Sequence, residues 1–201
     1  PGARGGMSLH RLERLLDGLP GLPRLTLQGL GEPLLAPDLV AMVAAARRRG
    51  VAVGFNTNGS LLSTARAHAL VEAGLSWLRV SLDGATATTL GALRDGADLD
   101  RIVANLRGLT DLQRRLGAEN PDVAVVTVAL RRNLDELSAI VELAADCGVR
   151  TMRIQNLSHT FGDCGPAGYG RQAGRCTARD YLRGAAAQPR HAGTPATALL
   201  W

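Results

Sequence analysis

At 201 residues and 46% hydrophobic side chains, the chain can bury one sizeable core, and its composition is not that of a disordered protein. No apolar run reaches the roughly 18 residues of a membrane span, and no signal-peptide core follows Pro1-Gly2-Ala3-Arg4-Gly5-Gly6, so a cytoplasmic chain is expected. The net charge of +5 is carried by arginines without a single lysine; they are spread along the chain apart from Arg47-Arg48-Arg49 near a helix end, so a nucleic-acid surface is not expected.

Met7 to Asp17 reads as a helix with Leu9, Leu12, Leu15 and Leu16 on one face. Arg24 to Gln28 follows as a short strand. Pro37, at a first-turn position, opens a helix that buries Leu39, Val43 and Ala46 and stops at Gly50. Val51 to Phe55 is a strand, Ser63 caps a helix that runs to Gly74, and Ser76 to Ser81 is the next strand. Asp98 opens a long helix ending near Gly117, and the Val-rich segment Asp122 to Leu130 is a strand. Asn133, with Glu136 three residues on, resembles a capping box for a helix to Cys147; Val149 to Gln155 is the last clear strand.

A helix followed by five strands with helices between them argues for a parallel sheet with right-handed crossovers. Five strands do not close an eight-stranded barrel. The expected fold is therefore α/β, an open or partial barrel whose opening helix has no strand before it. From about Gly165 the periodicity ends, and residues 159–201 read as an irregular or disordered tail, compatible with a shifted reading frame.

Four polar clusters close the apolar strands: Gln28-Gly29-Leu30-Gly31-Glu32-Pro33, Asn56-Thr57-Asn58-Gly59, Ser81-Leu82-Asp83-Gly84 and Gln155-Asn156. Parallel βα folds gather their sites at the carboxyl ends of strands, which puts all four on one rim. In the first cluster the glycines let the chain bend close past a ligand, and backbone carbonyls with the Glu32 carboxylate suit a cation such as a ligand ammonium. A phosphate cradle needs N–H groups at a helix N-terminus instead. Alone, this loop is either a structural turn or such a site. The clusters that follow at βα spacing favour the site.

Gly29-Leu30-Gly31-Glu32-Pro33, Thr57-Asn58-Gly59 and Val80-Ser81-Leu82-Asp83-Gly84 together resemble the radical S-adenosylmethionine superfamily, in particular members with molybdenum-cofactor-biosynthesis-like or SPASM-type accessory domains. The resemblance covers about residues 8–158 and implies a partial (β/α)6-type barrel, here without its first strand, after an N-terminal remnant at 1–7. It implies S-adenosylmethionine as cofactor beside a [4Fe-4S] cluster, whose reductive cleavage chemistry yields a 5′-deoxyadenosyl radical for hydrogen abstraction. It further implies that carbonyls around Gly29 and Gly31, with Glu32, hold the methionine ammonium, and that Ser81 meets the ribose or carboxylate end. Thr57 and Asn58 would line the space between cofactor and substrate. Gln155 or Asn156 are adenine-side candidates without a transferable motif.

The family's Cys-x3-Cys-x2-Cys loop is absent. Cys147 reads as a small buried apolar residue, and Cys164 and Cys176 are too far apart to be assigned as cluster ligands. These three cysteines do not form a disulfide framework either. No metal ligand and no catalytic residue is therefore expected in this chain, which on its own is expected to be inactive. The complete enzyme is expected to draw electrons from a donor such as a reduced flavodoxin or ferredoxin and to act on a peptide or small metabolite, without nucleic-acid or membrane partners. The alternative is a cluster-less relative or gene fragment serving as a binding or partner module. An aldolase-type barrel would need a Schiff-base lysine or a His metal cluster. His10 and His68 read as surface positions, Ser158-His159-Thr160 as a polar loop or a substrate contact, Asp135-Glu136 as helix-start charges, and Phe55 and Trp77 as core.

Overall fold

The structure, a computed structural model, describes residues 7–29 and 31–156. Leu30, the Ser158-His159-Thr160 segment, Cys164, Cys176 and the rest of the 159–201 tail lie outside the described residues. The elements run α1 (Leu9–Asp17), β1 (Arg24–Thr26), a 3-10 turn (Pro33–Leu35), α2 (Leu39–Arg48), β2 (Ala52–Thr57), α3 (Thr64–Glu72) and β3 (Trp77–Ser81). Then come α4 (Ala87–Leu93), α5 (Leu99–Leu116), β4 (Asp122–Ala129), a 3-10 turn (Leu134–Glu136), α6 (Leu137–Asp146) and β5 (Thr151–Asn156).

The five strands pair in parallel in the order β1-β2-β3-β4-β5. Sequential order is the winding of a barrel, since a doubly wound sheet reverses its order part-way. Register fixes which side chains share a face. Gly54 pairs with Trp77 and Trp77 with Asp122, while Phe55 pairs with Leu78 and Leu78 with Val123. Side chains alternate along each strand, so these two rows point to opposite sides. Val53, Phe55, Leu78, Val80 and Val125 belong to one apolar cluster with Leu12, Leu39, Leu70, Leu106 and Ile140 from the helices. No strand residue of the other face joins that cluster. The sheet thus has a helix-covered apolar face and a second face bearing Arg24, Asn56, Trp77, Arg79 and Ser81.

Several sequence expectations shift. The first helix begins at Leu9, because Ser8 is its N-cap and accepts from Arg11 N. Pro37 lies before the cap position of α2, not in its first turn, and Pro33 opens the 3-10 turn instead. Ser63 and Asp98 cap α3 and α5 as expected, and Gly117 ends α5 in the left-handed conformation at φ 60°. α4 is an element that periodicity did not reveal. The capping-box reading of Asn133 and Glu136 is wrong: neither makes a side-chain cap bond to the helix they open. Asn133 is buried and bridges Asp83 O and Val128 O while accepting from Leu130 N. Glu136 reaches across to the loop after β3.

Phe55 and Cys147 are core, as read, at 0% and 2% exposure. Burial raises the Cys147 thiol above its ordinary range, which keeps it a neutral, inert side chain. Trp77 is also buried, but on the other face, the helix-free one among the described residues. His10 and His68 are exposed, and His68 lies 3.1 Å from Glu72.

Candidate active site at the strand carboxyl ends

β1, β2 and β3 release their chains on the same edge, and three polar clusters meet there. The first cluster is organised by Glu32. Its Oε1 accepts from Leu34 N at 3.0 Å and from the Thr57 hydroxyl at 2.7 Å, and its Oε2 accepts from Asn58 N at 2.7 Å. The carboxylate therefore caps the 3-10 turn and ties the loop after β1 to the end of β2. A carboxylate has about four lone-pair sites, so one remains for a ligand N–H. On either side of Leu30, a Cβ added at Gly29 or Gly31 would meet no described residue within 4 Å.

At the end of β2, Thr57 is buried and its hydroxyl is committed twice, donating to Glu32 and accepting from Gly59 N at 3.0 Å. Asn58 is half-buried and its Oδ1 accepts from Ser60 N, while its Nδ2 has no partner among the described residues. On the helix-free face, Asn56 Nδ2 donates to Gln28 Oε1 at 3.0 Å, closing the upper end of the β1–β2 pair. Ser81 is half-buried, and its hydroxyl makes no hydrogen bond among the described residues. Gln155 and Asn156, at the far end of the sheet, are exposed.

Two braces that the sequence reading missed hold the β3 end. Asp83 is 4% exposed; its Oδ2 takes both Nε and a terminal nitrogen of Arg94 at 2.7 Å, and its Oδ1 accepts from Val128 N at 2.7 Å. Glu136 accepts from Ala85 N at 2.8 Å, from Thr86 N at 3.3 Å, and from the hydroxyls of Thr86 and Thr89. The Thr89 hydroxyl is the largest influence holding the Glu136 carboxyl below its ordinary range; desolvation opposes it, and the Ala85 and Thr86 bonds add to it. These partners are about fifty residues apart in sequence, so no local pattern announces them.

A separate cleft of about 450 Å³ lies at the amino end of β5, lined by Arg114, Val141, Gly148, Val149 and Arg150. It is at the opposite strand end from the polar rim. Among the described residues, no three His, Cys, Asp or Glu side chains come together as a metal site, and Cys147 is the one thiol. No described helix is long and apolar enough to cross a membrane.

A singly wound parallel sheet with polar groups gathered at its carboxyl edge defines a barrel-type α/β core. The sequence model of the Radical SAM superfamily matches residues 3–144, and the chain belongs to that superfamily. It is 28% identical over 160 residues to the tungsten-containing aldehyde ferredoxin oxidoreductase cofactor-modifying protein of Pyrococcus furiosus, covering 76% of this chain and 44% of that protein. It is 32% identical over 137 residues to the PqqA peptide cyclase of Ruegeria pomeroyi, covering 67% and 34%. Streptococcus suis SuiB bound to S-adenosylmethionine superposes with a TM-score of 0.67 at 15% identity, over 81% of this chain and 36% of that one. SuiB bound to its precursor peptide SuiA gives 0.65, over 77% and 34%. The chain thus spans less than half the length of these relatives. The family's cofactors are S-adenosylmethionine and a [4Fe-4S] cluster.

Proposed function

We propose that this chain forms the S-adenosylmethionine-holding edge of a radical S-adenosylmethionine enzyme whose complete protein acts on a peptide or small metabolite. The observation that carries the reading is the convergence of the Gly29–Gly31 backbone, Glu32 and the Ser81 hydroxyl, unpartnered among the described residues, on one strand edge, with no described residue within 4 Å of a Cβ added at either glycine. The cofactor, once bound beside a reduced iron–sulfur cluster, supplies the radical that takes a substrate hydrogen.

The chain's own residues have distinct tasks in this reading. Carbonyls around Gly29 and Gly31 accept from the methionine ammonium, and the free lone pair of Glu32 adds a charge-assisted acceptor. Ser81 donates to the ribose or carboxylate. Asn58 turns its free amide toward the space between cofactor and substrate, and Thr57 acts behind it by holding Glu32. The Asp83–Arg94 pair and Glu136 fix the loops so that these groups are in place before the ligand arrives, which lowers the ordering cost of binding.

The described residues do not fit the cluster: one buried thiol is no ligand set for four irons. Its ligands, and the docking of a flavodoxin- or ferredoxin-type donor, are assigned to parts of the complete protein beyond these residues. By itself the chain is inactive in this reading, and anaerobic reconstitution leaves it without iron; a stoichiometry of about four irons per chain contradicts that assignment.

The cofactor reading is tested by calorimetric titration of the chain with S-adenosylmethionine. Saturable binding is expected, weakened about tenfold in Ser81→Ala at unchanged melting temperature, as for one lost hydrogen bond. An unaltered affinity removes Ser81 from the site.

A further inference from the structure

The lower half of the helix-free face holds donors without acceptors. Trp77 is 7% exposed, and its indole Nε1–H, which can only donate, is a buried side-chain polar atom without a hydrogen-bond partner. The ring is seated on Gly54, where an added Cβ would fall 2.3 Å from Trp77 Cδ2. The Arg24 guanidinium lies 4.8 Å from the ring centroid and that of Arg79 5.4 Å. Arg79 donates to Leu78 O, Asp122 O and the Asp122 carboxylate, its one ion-pair partner among the described residues. Arg24 is exposed and makes no hydrogen bond or ion pair among the described residues. By strand register this face carries three arginines, Arg24, Arg79 and Arg153, and one carboxylate, Asp122, which Arg79 already holds.

A buried N–H without an acceptor among the described residues, in a ring with an exposed guanidinium over it, favours an anion. We propose that Arg24 and Trp77 form an anchor for an acidic side chain of a peptide substrate, which lies along the helix-free face toward the Ser81 edge. The choice of a peptide over a small acid rests on the reading under Proposed function; the anion anchor itself does not. Trp77 lies four residues before Ser81 on β3, which is about 13 Å along the strand. An extended peptide covers that distance in about four residues. The anchor therefore selects an acidic residue about four positions from the residue presented at the cofactor edge.

The test uses the full chain with Trp201→Phe, which leaves Trp77 as its only tryptophan. Indole emission is followed during titration with acetyl-Gly-Glu-Gly-Glu-Gly-amide, with its Gln counterpart, and with free glutarate. A saturable change with the Glu peptide is expected, at least tenfold weaker in Arg24→Gln, absent with the Gln peptide, and reduced by salt as an ionic contact should be. Calorimetry on Trp77→Phe, which keeps an aromatic ring and removes the N–H, is expected to show several-fold weaker binding. No response, an equal response to the Gln peptide, or full affinity in Arg24→Gln overturns the anchor. Equal affinity for glutarate overturns the peptide assignment. S-adenosylmethionine affinity, measured on the same samples, is expected to survive Arg24→Gln; its loss in the unsubstituted chain refutes the cofactor reading without touching the anchor.

Discussion

Gly54 lies so close beneath the Trp77 indole that a methyl group at position 54 would stand 2.2 Å from Trp77 O and 2.3 Å from its Cδ2. Neither neighbour can yield, since one is strand backbone and the other a buried ring. Gly54→Ala is expected to destabilise the chain by about 3 kcal/mol, read as a lower urea midpoint at unchanged slope; a midpoint equal to the parent's would show that the ring is not seated there. Glu32 makes the opposite kind of demand, for a charge. All three of its protein partners among the described residues are donors, and an amide would turn an NH2 toward either Asn58 N or the Leu34 N–Thr57 pair, where an acceptor is needed. Glu32→Gln is expected to lower stability by about 1–2 kcal/mol and to weaken S-adenosylmethionine binding together, whereas Ser81→Ala weakens binding alone. Thermal melts and titrations on the same two variants separate the roles. Equal melting temperatures for both would mean that the carboxylate is not a brace.

At the scale of elements, the loop after β3 depends on a helix start fifty residues later. Glu136 holds Ala85, Thr86 and Thr89 more strongly when ionised, and those bonds set its carboxyl below the ordinary glutamate value of 4.5. A group whose folded-state value is lowered stabilises the fold above its unfolded value and loses that contribution as the pH falls through the folded one. Acid melts between pH 5 and the lower edge of the carboxylate range are therefore expected to show less pH dependence in Glu136→Gln than in the parent, with the variant less stable at neutral pH. Identical acid profiles would remove Glu136 from the brace. The same residue shows where local reading stops. Asn133 and Glu136 have capping-box spacing, and the helix does begin there, but tertiary partners took both side chains. α4 escaped notice because Thr88, Thr89 and Gly91 are weak helix formers, so packing of Leu90 rather than propensity holds it. Elements with strong periodicity and a cap, such as α5 between Asp98 and Gly117, were legible almost to the residue.

At the scale of the molecule, alternation of strand and helix gave the parallel sheet, and the polar strand ends gave the edge proposed for the cofactor. The second polar region stayed hidden. Arg24, Gly54, Trp77, Arg79 and Asp122 come from four strands, and only pairing register puts them on one face; read singly, Trp77 is a core aromatic and Arg24 a surface charge. That division of the sheet, apolar toward the helices and polar on the free face, leaves room for a cofactor at one end and a substrate along the strands. Central to this picture is the loop after β1 as a ligand-facing backbone. Gly31 offers the most direct test, because a Cβ there meets no described residue within 4 Å. Titration of Gly31→Val with S-adenosylmethionine is expected to show binding lost, or weakened at least tenfold, at the parent's melting temperature. Undiminished affinity in that variant would contradict the assignment of this edge to the cofactor.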